Sequence, residues 1–165
     1  DECLARWAET AAFTPIMRTH EGDRPESNAQ PWSSPAALAH FARLAAVWSA
    51  LAPYHAETMA EYASSGLPPI RHTWLHYEDQ PELRALDYQY LYGRDLLVAP
   101  VVEPGAELSN AVLPADHWVH LWTSREFRGG EVTIEAPLGY PPVFYRAASP
   151  WANLFESLRR STRKL

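Results

Sequence analysis

At 165 residues the chain is long enough for one ordinary domain or two small ones. It is 47% hydrophobic, with 7 Trp, 8 Tyr and 5 Phe, which excludes a disordered chain and supplies the apolar surface for a packed core. The net charge of -6 comes with no basic stripe, which argues against nucleic acid as a partner.

No signal-peptide pattern follows Asp1, and no apolar run is long enough to span a membrane. The single cysteine, Cys3, has no intrachain disulfide partner. It favours a reducing compartment, hence a cytoplasmic location.

Leu4, Trp7, Ala8, Ala11 and Ala12 fall at helical spacing and predict an opening helix with one apolar face, with Asp1 in place to cap it. Phe13-Thr14-Pro15-Ile16-Met17 is an apolar run too short for a helix. It reads as a buried strand that feeds a polar loop reaching Pro35. Ser34-Pro35 then starts a helix, with Ser as cap and Pro in the first turn. Leu38, Phe41, Ala42, Ala45 and Trp48 form its stripe. Leu44, Val47 and Leu51 widen that stripe, so the helix is expected to be largely buried. Pro53 kinks or ends it, and a second helical stretch stops at Gly66. Helix, strand, loop, helix is the rhythm of parallel α/β architecture, and the lone strand needs parallel neighbours that this chain does not contain.

The second region, 66–146, reads as β-rich. Leu96 to Val101 is a continuous apolar run of strand length, and Glu131 to Ala136 alternates with Val132, Ile134 and Ala136 facing in. Trp118 to Trp122 and Val143 to Tyr145 also suit strands. Glycines punctuate them, and the whole predicts a small sandwich. In the tail, 147–165, Ser149-Pro150 starts a helix carrying Trp151, Leu154, Phe155 and Leu158. Arg159, Arg160, Arg163 and Lys164 give its end the positive charge a helix carboxy terminus favours.

His20 follows the predicted strand and opens the polar loop. A neutral imidazole there can donate and accept hydrogen bonds to a ligand, or it can simply fix the loop. Arg18, Glu21, Asp23 and Arg24 crowd the same loop, and an ion-pair network is the favoured reading of the two arginines. Glu21 and Asp23 are neighbours in sequence, which does not make them a catalytic pair. No residue is assigned a catalytic role. His72 and His76 follow Pro68-Pro69 and precede a strand-like stretch, and four residues of strand span about 13 Å, too far to share an ion. His117 and His120 point to opposite faces of a strand. No metal site and no cofactor are expected. Trp118 and Trp122 read as sandwich core and as an interface to the first region, rather than as a sugar-stacking platform.

Two segments carry a resemblance. Trp7 to Pro25, WAETAAFTPIMRTHEGDRP, resembles the segment after the acid/base aspartate of glycoside hydrolase family 31, including the Arg18-x-His20 at the strand end. Asp87 to Val102, DYQYLYGRDLLVAPVV, is similar to that family's Gly-x-Asp-Leu-Leu-Val-Ala-Pro-Val signature. His117 to Thr123, Phe127 to Gly130 and Pro141 to Arg146 look most like the bacterial branch that contains sulfoquinovosidases.

The resemblance implies the last βα unit of a (β/α)8 barrel over 1–65, followed by a carboxy-terminal β-sandwich domain over 66–146 and a helical tail. It implies retaining hydrolysis of α-glycosides by an aspartate nucleophile and an aspartate acid/base, both upstream of Asp1. The chain is thus expected to be a carboxy-terminal part of such an enzyme, inactive alone, with a small-molecule glycoside as partner. Only His20 carries over, as a ligand of hydroxyls on the sugar in the −1 subsite. No Tyr is assigned here to the branch's sulfonate pocket, so sulfoquinovosides, α-glucosides and xylosides stay open. The alternative is a non-catalytic carbohydrate-binding sandwich module.

Overall fold

The computed structural model describes residues 2–162, the side chains of 161 and 162 excepted. Asp1, Arg163 and Lys164, assigned terminal roles above, lie outside the described residues.

Helix α1 (Glu2–Ala11) buries Ala8, Glu9 and Ala11. Trp7, expected on that face, is 64% exposed. Helix α2 (Pro35–Ala50) starts where the sequence predicts: the Ser34 hydroxyl accepts the Ala37 amide at 3.0 Å, and Pro35 supplies a fixed φ in the first turn. At Leu51 the chain bends by 58° into α3 (Ala52–Ser65). Pro53 sits in the first turn of α3, where its missing N–H has no intrahelical acceptor to lose. Gly66 ends α3 at φ 79°, its amide donating to Tyr62 O at 2.9 Å. No single described helix is long and apolar enough to cross a membrane.

Two expectations for this region are corrected. Residues 13–17 do not form a strand. Phe13 is fully buried, but the chain beyond it is irregular and Ile16 is 72% exposed. A parallel strand is held by ladder bonds to its neighbours, and no described strand pairs with this segment. Nor is α2 buried along its predicted stripe. Leu44, Val47 and Leu51 are fully buried, whereas Leu38 is 52% exposed and Ala42 faces outward. A helix with apolar residues on most of its sides carries only a weak period to select its inner face, and here the sheet selects it.

The β-region has eight strands: β1 (Ile70–Arg71), β2 (Tyr90–Tyr92), β3 (Leu96–Val98), β4 (Leu108–Leu113), β5 (Trp118–His120), β6 (Glu126–Phe127), β7 (Gly130–Glu135) and β8 (Val143–Arg146). Six form an antiparallel sheet in the order β1-β2-β3-β8-β5-β6, and β4 pairs with β7 in a second sheet, Ala111 opposite Val132. The predicted β7 alternation holds at its inner positions: Ile134 and Ala136 are buried and Val132 is half-buried.

The larger sheet is covered on both faces, which is why its central strands read as unbroken apolar runs. With side chains alternating along each strand, Leu97 and Phe144 point toward β4 and β7, joining Leu91, Ala111, Leu113, Trp118 and Ile134. Leu96, Val98, Val143 and Tyr145 point the other way. There they meet Phe13, Leu44, Val47, Leu51 and Tyr54, together with Phe155 and Leu158 of the last helix, α4 (Ala152–Thr162). Each such aliphatic or aromatic side chain contributes about 1.5–3 kcal/mol by leaving water. The helices before Gly66 and the strands after it therefore share one core.

Candidate functional site: the His20 loop

The segment that leads to His20 is anchored at its base. Phe13 and Thr14 extend α1 by turn bonds to the carbonyls of Thr10 and Ala11. The Phe13 carbonyl accepts from the Tyr90 hydroxyl of β2 at 3.2 Å, and the Thr14 carbonyl accepts from the Trp48 indole N–H of α2 at 3.0 Å. Beyond Thr14 the chain runs over the surface. His20 is exposed, and its Nδ1 lies 2.7 Å from Glu21 O. A carbonyl only accepts, so in the neutral ring Nδ1 carries the proton and Nε2 keeps a lone pair for a hydroxyl donor. On the return limb, Gln30 is buried and donates its side-chain N–H to His20 O at 3.4 Å. The Gln30 amide is held by Ser33 Oγ at 2.8 Å, one residue before the α2 cap. The loop thus presents one imidazole from two fixed ends.

Its other polar residues do not form the expected network. Arg18, Glu21, Asp23 and Arg24 are all exposed, and among the described residues none of the four makes an ion pair. In the open, such pairs gain about 0–1 kcal/mol, too little to order long side chains. The loop can bind through His20, but it brings together no nucleophile and acid/base pair.

The remaining histidines have structural partners. The 72–76 stretch is not strand-like: Thr73–His76 is a 3-10 turn, with His72 Nδ1 accepting the Trp74 amide at 3.2 Å. His76 accepts from the buried Arg71 guanidinium at 2.8 Å, and burial together with that cation lowers its pKa. His117 pairs with Glu126 at the surface. His120 is buried, with Nδ1 2.8 Å from Thr123 Oγ1 and Nε2 without a partner among the described residues. Burial, aided by Arg125, pushes its pKa down to about 4. Cys3 is exposed and free. Trp118 and Trp122 are buried, as expected of core. Trp122 packs edge-on against Phe13 of the first region with ring centres 6.4 Å apart. Their rings are therefore not surfaces for stacking on a sugar.

The segment around Gly93 is a structural joint. Gly93 has φ 58°, and a Cβ there would stand 2.4 Å from the Tyr54 hydroxyl. That hydroxyl donates to Tyr92 O at 2.7 Å and accepts the Asp95 amide at 3.1 Å. His55 donates from Nε2 to Trp48 O at 2.9 Å, so its Nδ1 accepts the Tyr92 hydroxyl at 2.5 Å. Burial raises the Tyr92 pKa to about 12, which keeps the hydroxyl a donor. Asp95 is buried beside Arg146, which bonds Asp116 at 2.9 Å. Burial works against the Asp116 carboxylate, but the His117 amide, Arg146 and Tyr77 outweigh it and hold its pKa below the ordinary value.

The sequence reading singled out His20 but missed Gln30, Trp48 and Tyr90, which hold its segment. Their positions in the chain show only that they are polar or aromatic. Contact with residues 10–20 follows from the tertiary fold.

The sandwich defines the class. Residues 66–149 match the model of the glycosyl hydrolase family 31 C-terminal domain, and the chain belongs to glycoside hydrolase family 31. It is 55% identical over 158 residues to a sulfoquinovosidase of Escherichia coli (strain K12), covering 96% of this chain and 23% of that protein. A sulfoquinovosidase of Agrobacterium fabrum is 51% identical over 160 residues, covering 96% and 24%. Among solved structures, a family 31 sulfoquinovosidase from E. rectale, in complex with an aza-sugar inhibitor, superposes with a TM-score of 0.93 at 46% identity. That match covers 95% of this chain and 24% of that one. The chain spans about a quarter of the length of the relatives it matches.

Proposed function

We propose that this chain is the carboxy-terminal part of a retaining α-glycosidase that hydrolyses sulfoquinovosides, with α-glucosides as the second substrate class. The match to two sulfoquinovosidases at 51% identity or more, over nearly the whole chain, carries this reading. Residues 1–65 form the last βα unit of a (β/α)8 barrel, 66–146 the sandwich and 147–165 a helical tail. The aspartate nucleophile and the aspartate acid/base belong to an upstream part, and the enzyme works in the cytoplasm. Exposed Trp7, Ile16 and Leu38 support the barrel reading, because they are apolar surface that a neighbouring barrel segment would cover.

In this assignment residues 13–17, irregular in this chain, become a barrel strand once an upstream neighbour supplies its ladder bonds, and His20 then stands at that strand's carboxy end, the edge on which such barrels build their sites. Its free Nε2 accepts a ring hydroxyl of the sugar in the −1 subsite. That bond strengthens as the ring flattens toward an oxocarbenium-like transition state. Sugar specificity beyond that contact resides in upstream residues.

The test compares this chain with a complete family 31 enzyme that ends in it, on aryl α-sulfoquinovoside and aryl α-glucoside. The complete enzyme is expected to cleave the sulfoquinovoside with the higher kcat/KM and release an α-configured sugar, while the chain alone cleaves neither. Turnover by the isolated chain, or inversion of configuration, overturns the reading.

A further inference from the structure

Two consecutive carbonyls at the base of the His20 segment are gripped from opposite partners. Tyr90, on β2 of the sandwich, reaches Phe13 O at 3.2 Å and Thr10 O at 3.3 Å with the same hydroxyl. Trp48, on α2, donates to Thr14 O at 3.0 Å. These bonds stand where a parallel strand would have drawn ladder bonds from its neighbours. A buried carbonyl without a donor costs about as much as a lost hydrogen bond, so the segment stays where the donors are. Trp48 is itself fixed: its ring lies 4.9 Å from that of His55, which is bonded to Trp48 O and to the Tyr92 hydroxyl. Tyr90 and Tyr92 are two apart on one strand and therefore face the same side, toward α1, α2 and α3. Past Thr14 the described chain makes few bonds until Gln30 takes His20 O. The direction in which the segment leaves Thr14 therefore sets the position of His20 at one end, and Gln30 sets it at the other.

We infer that Tyr90, with Trp48, is a positioning residue for His20: the sandwich places a sugar-binding side chain of the barrel through the Tyr90 hydroxyl. The inference rests on the reading of His20 as a substrate ligand. It gives the sandwich a part in turnover although none of its own side chains touches the sugar. Misplacing a ligand of the transition state by a fraction of a bond length lowers the rate without unfolding the protein.

Tyr90→Phe removes only the hydroxyl and keeps the ring in its packed site. In a complete family 31 enzyme ending in this chain, it is expected to lower kcat/KM on aryl α-sulfoquinovoside by about 2- to 13-fold, the worth of one hydrogen bond. The melting temperature should change little. Trp48→Phe should act in the same direction. The decisive arm is the pair of double variants with His20→Ala. If Tyr90 acts through His20, Tyr90→Phe has no further effect once His20 is gone. Equal falls in both backgrounds, or no fall with His20 present, overturn the inference while leaving His20 as a ligand. If His20→Ala alone leaves kcat/KM unchanged, the underlying reading fails, and this inference fails with it.

Discussion

Glu9, buried on α1, accepts the Gly139 amide at 2.5 Å, a contact between residues 130 apart in sequence. Its second oxygen takes Arg6 at 3.0 Å, and Arg6 goes on to Ala136 O at 3.0 Å and Ala106 O at 2.7 Å. Arg43 of α2 bonds Gly139 O and lies 3.9 Å over the Tyr140 ring. A charged cluster thus clamps the first two helices onto a loop of the sandwich. Replacing Glu9 by Ala leaves the Arg6 charge and the Gly139 amide without their carboxylate. Such a break in a buried pair costs about 3–5 kcal/mol. Urea unfolding checks this, and a loss below about 1 kcal/mol means the clamp adds little net stability.

Gly93 and Gly66 both have positive φ but differ in surroundings. A Cβ at Gly93 meets the Tyr54 hydroxyl at 2.4 Å and Thr58 Cγ2 at 2.7 Å, while one at Gly66 meets nothing within 4 Å. Gly66→Ala is expected to cost about 1 kcal/mol, the strain of a left-handed alanine. Gly93→Ala carries that strain and also displaces the Tyr54 hydroxyl from Tyr92 O and the Asp95 amide. It is therefore expected to cost more than about 3 kcal/mol. Equal melting temperatures for the two variants would show that the joint relaxes freely.

The buried, neutral His120 makes stability depend on pH. Its folded pKa of about 4 lies below the ordinary 6.5, so the unfolded chain binds a proton that the native one refuses. Stability from this group is complete above the unfolded pKa. It is lost as pH falls through the window between the two values, by about 3 kcal/mol in all. His120→Phe should flatten the fall in urea stability over that window relative to the parent, whatever it does to stability at pH 7. Parallel pH curves for parent and variant would falsify the assignment.

In a complete enzyme, His20→Ala should lower kcat/KM by about 30- to 1000-fold, corresponding to about 2–4 kcal/mol of transition-state stabilisation. His20 is exposed, and among the described residues its ring bonds the adjacent Glu21 carbonyl alone, so the melting temperature should not move. A drop in melting temperature with no change in kcat/KM would make it a loop brace.

Hydrogen exchange should divide the chain by burial rather than at Gly66. The amides of Leu44 to Thr58, which back the shared core, are expected to be protected like those of β3 and β8. The surface run from Ile16 to Ser33 should exchange orders of magnitude faster. Fast exchange throughout α2 would show that the helices open independently of the sandwich.

The amino-acid order by itself determined a good part of this protein. The Ser34-Pro35 start of α2, the Gly66 stop, the β7 alternation and the apolar runs of β3 and β8 are local signals, set by capping, by φ and by period. The family resemblance was equally legible, because its motif from Gly93 to Val101 is one contiguous run of the sequence. Other features were decided only by the tertiary structure. Apolar residues at 13–17 satisfy strand composition, but a strand exists only where neighbouring backbones supply its bonds, and here a tyrosine and an indole supply them instead. Apolar residues are spread over most sides of α2, so the position of the larger sheet, not the helix's own period, chose Leu44, Val47 and Leu51 as its inner face. The clamp at Glu9 and the hold of Tyr90 on the His20 segment join residues far apart in the chain. Spacing in sequence carries no record of such contacts, because their distances are set by how the layers pack.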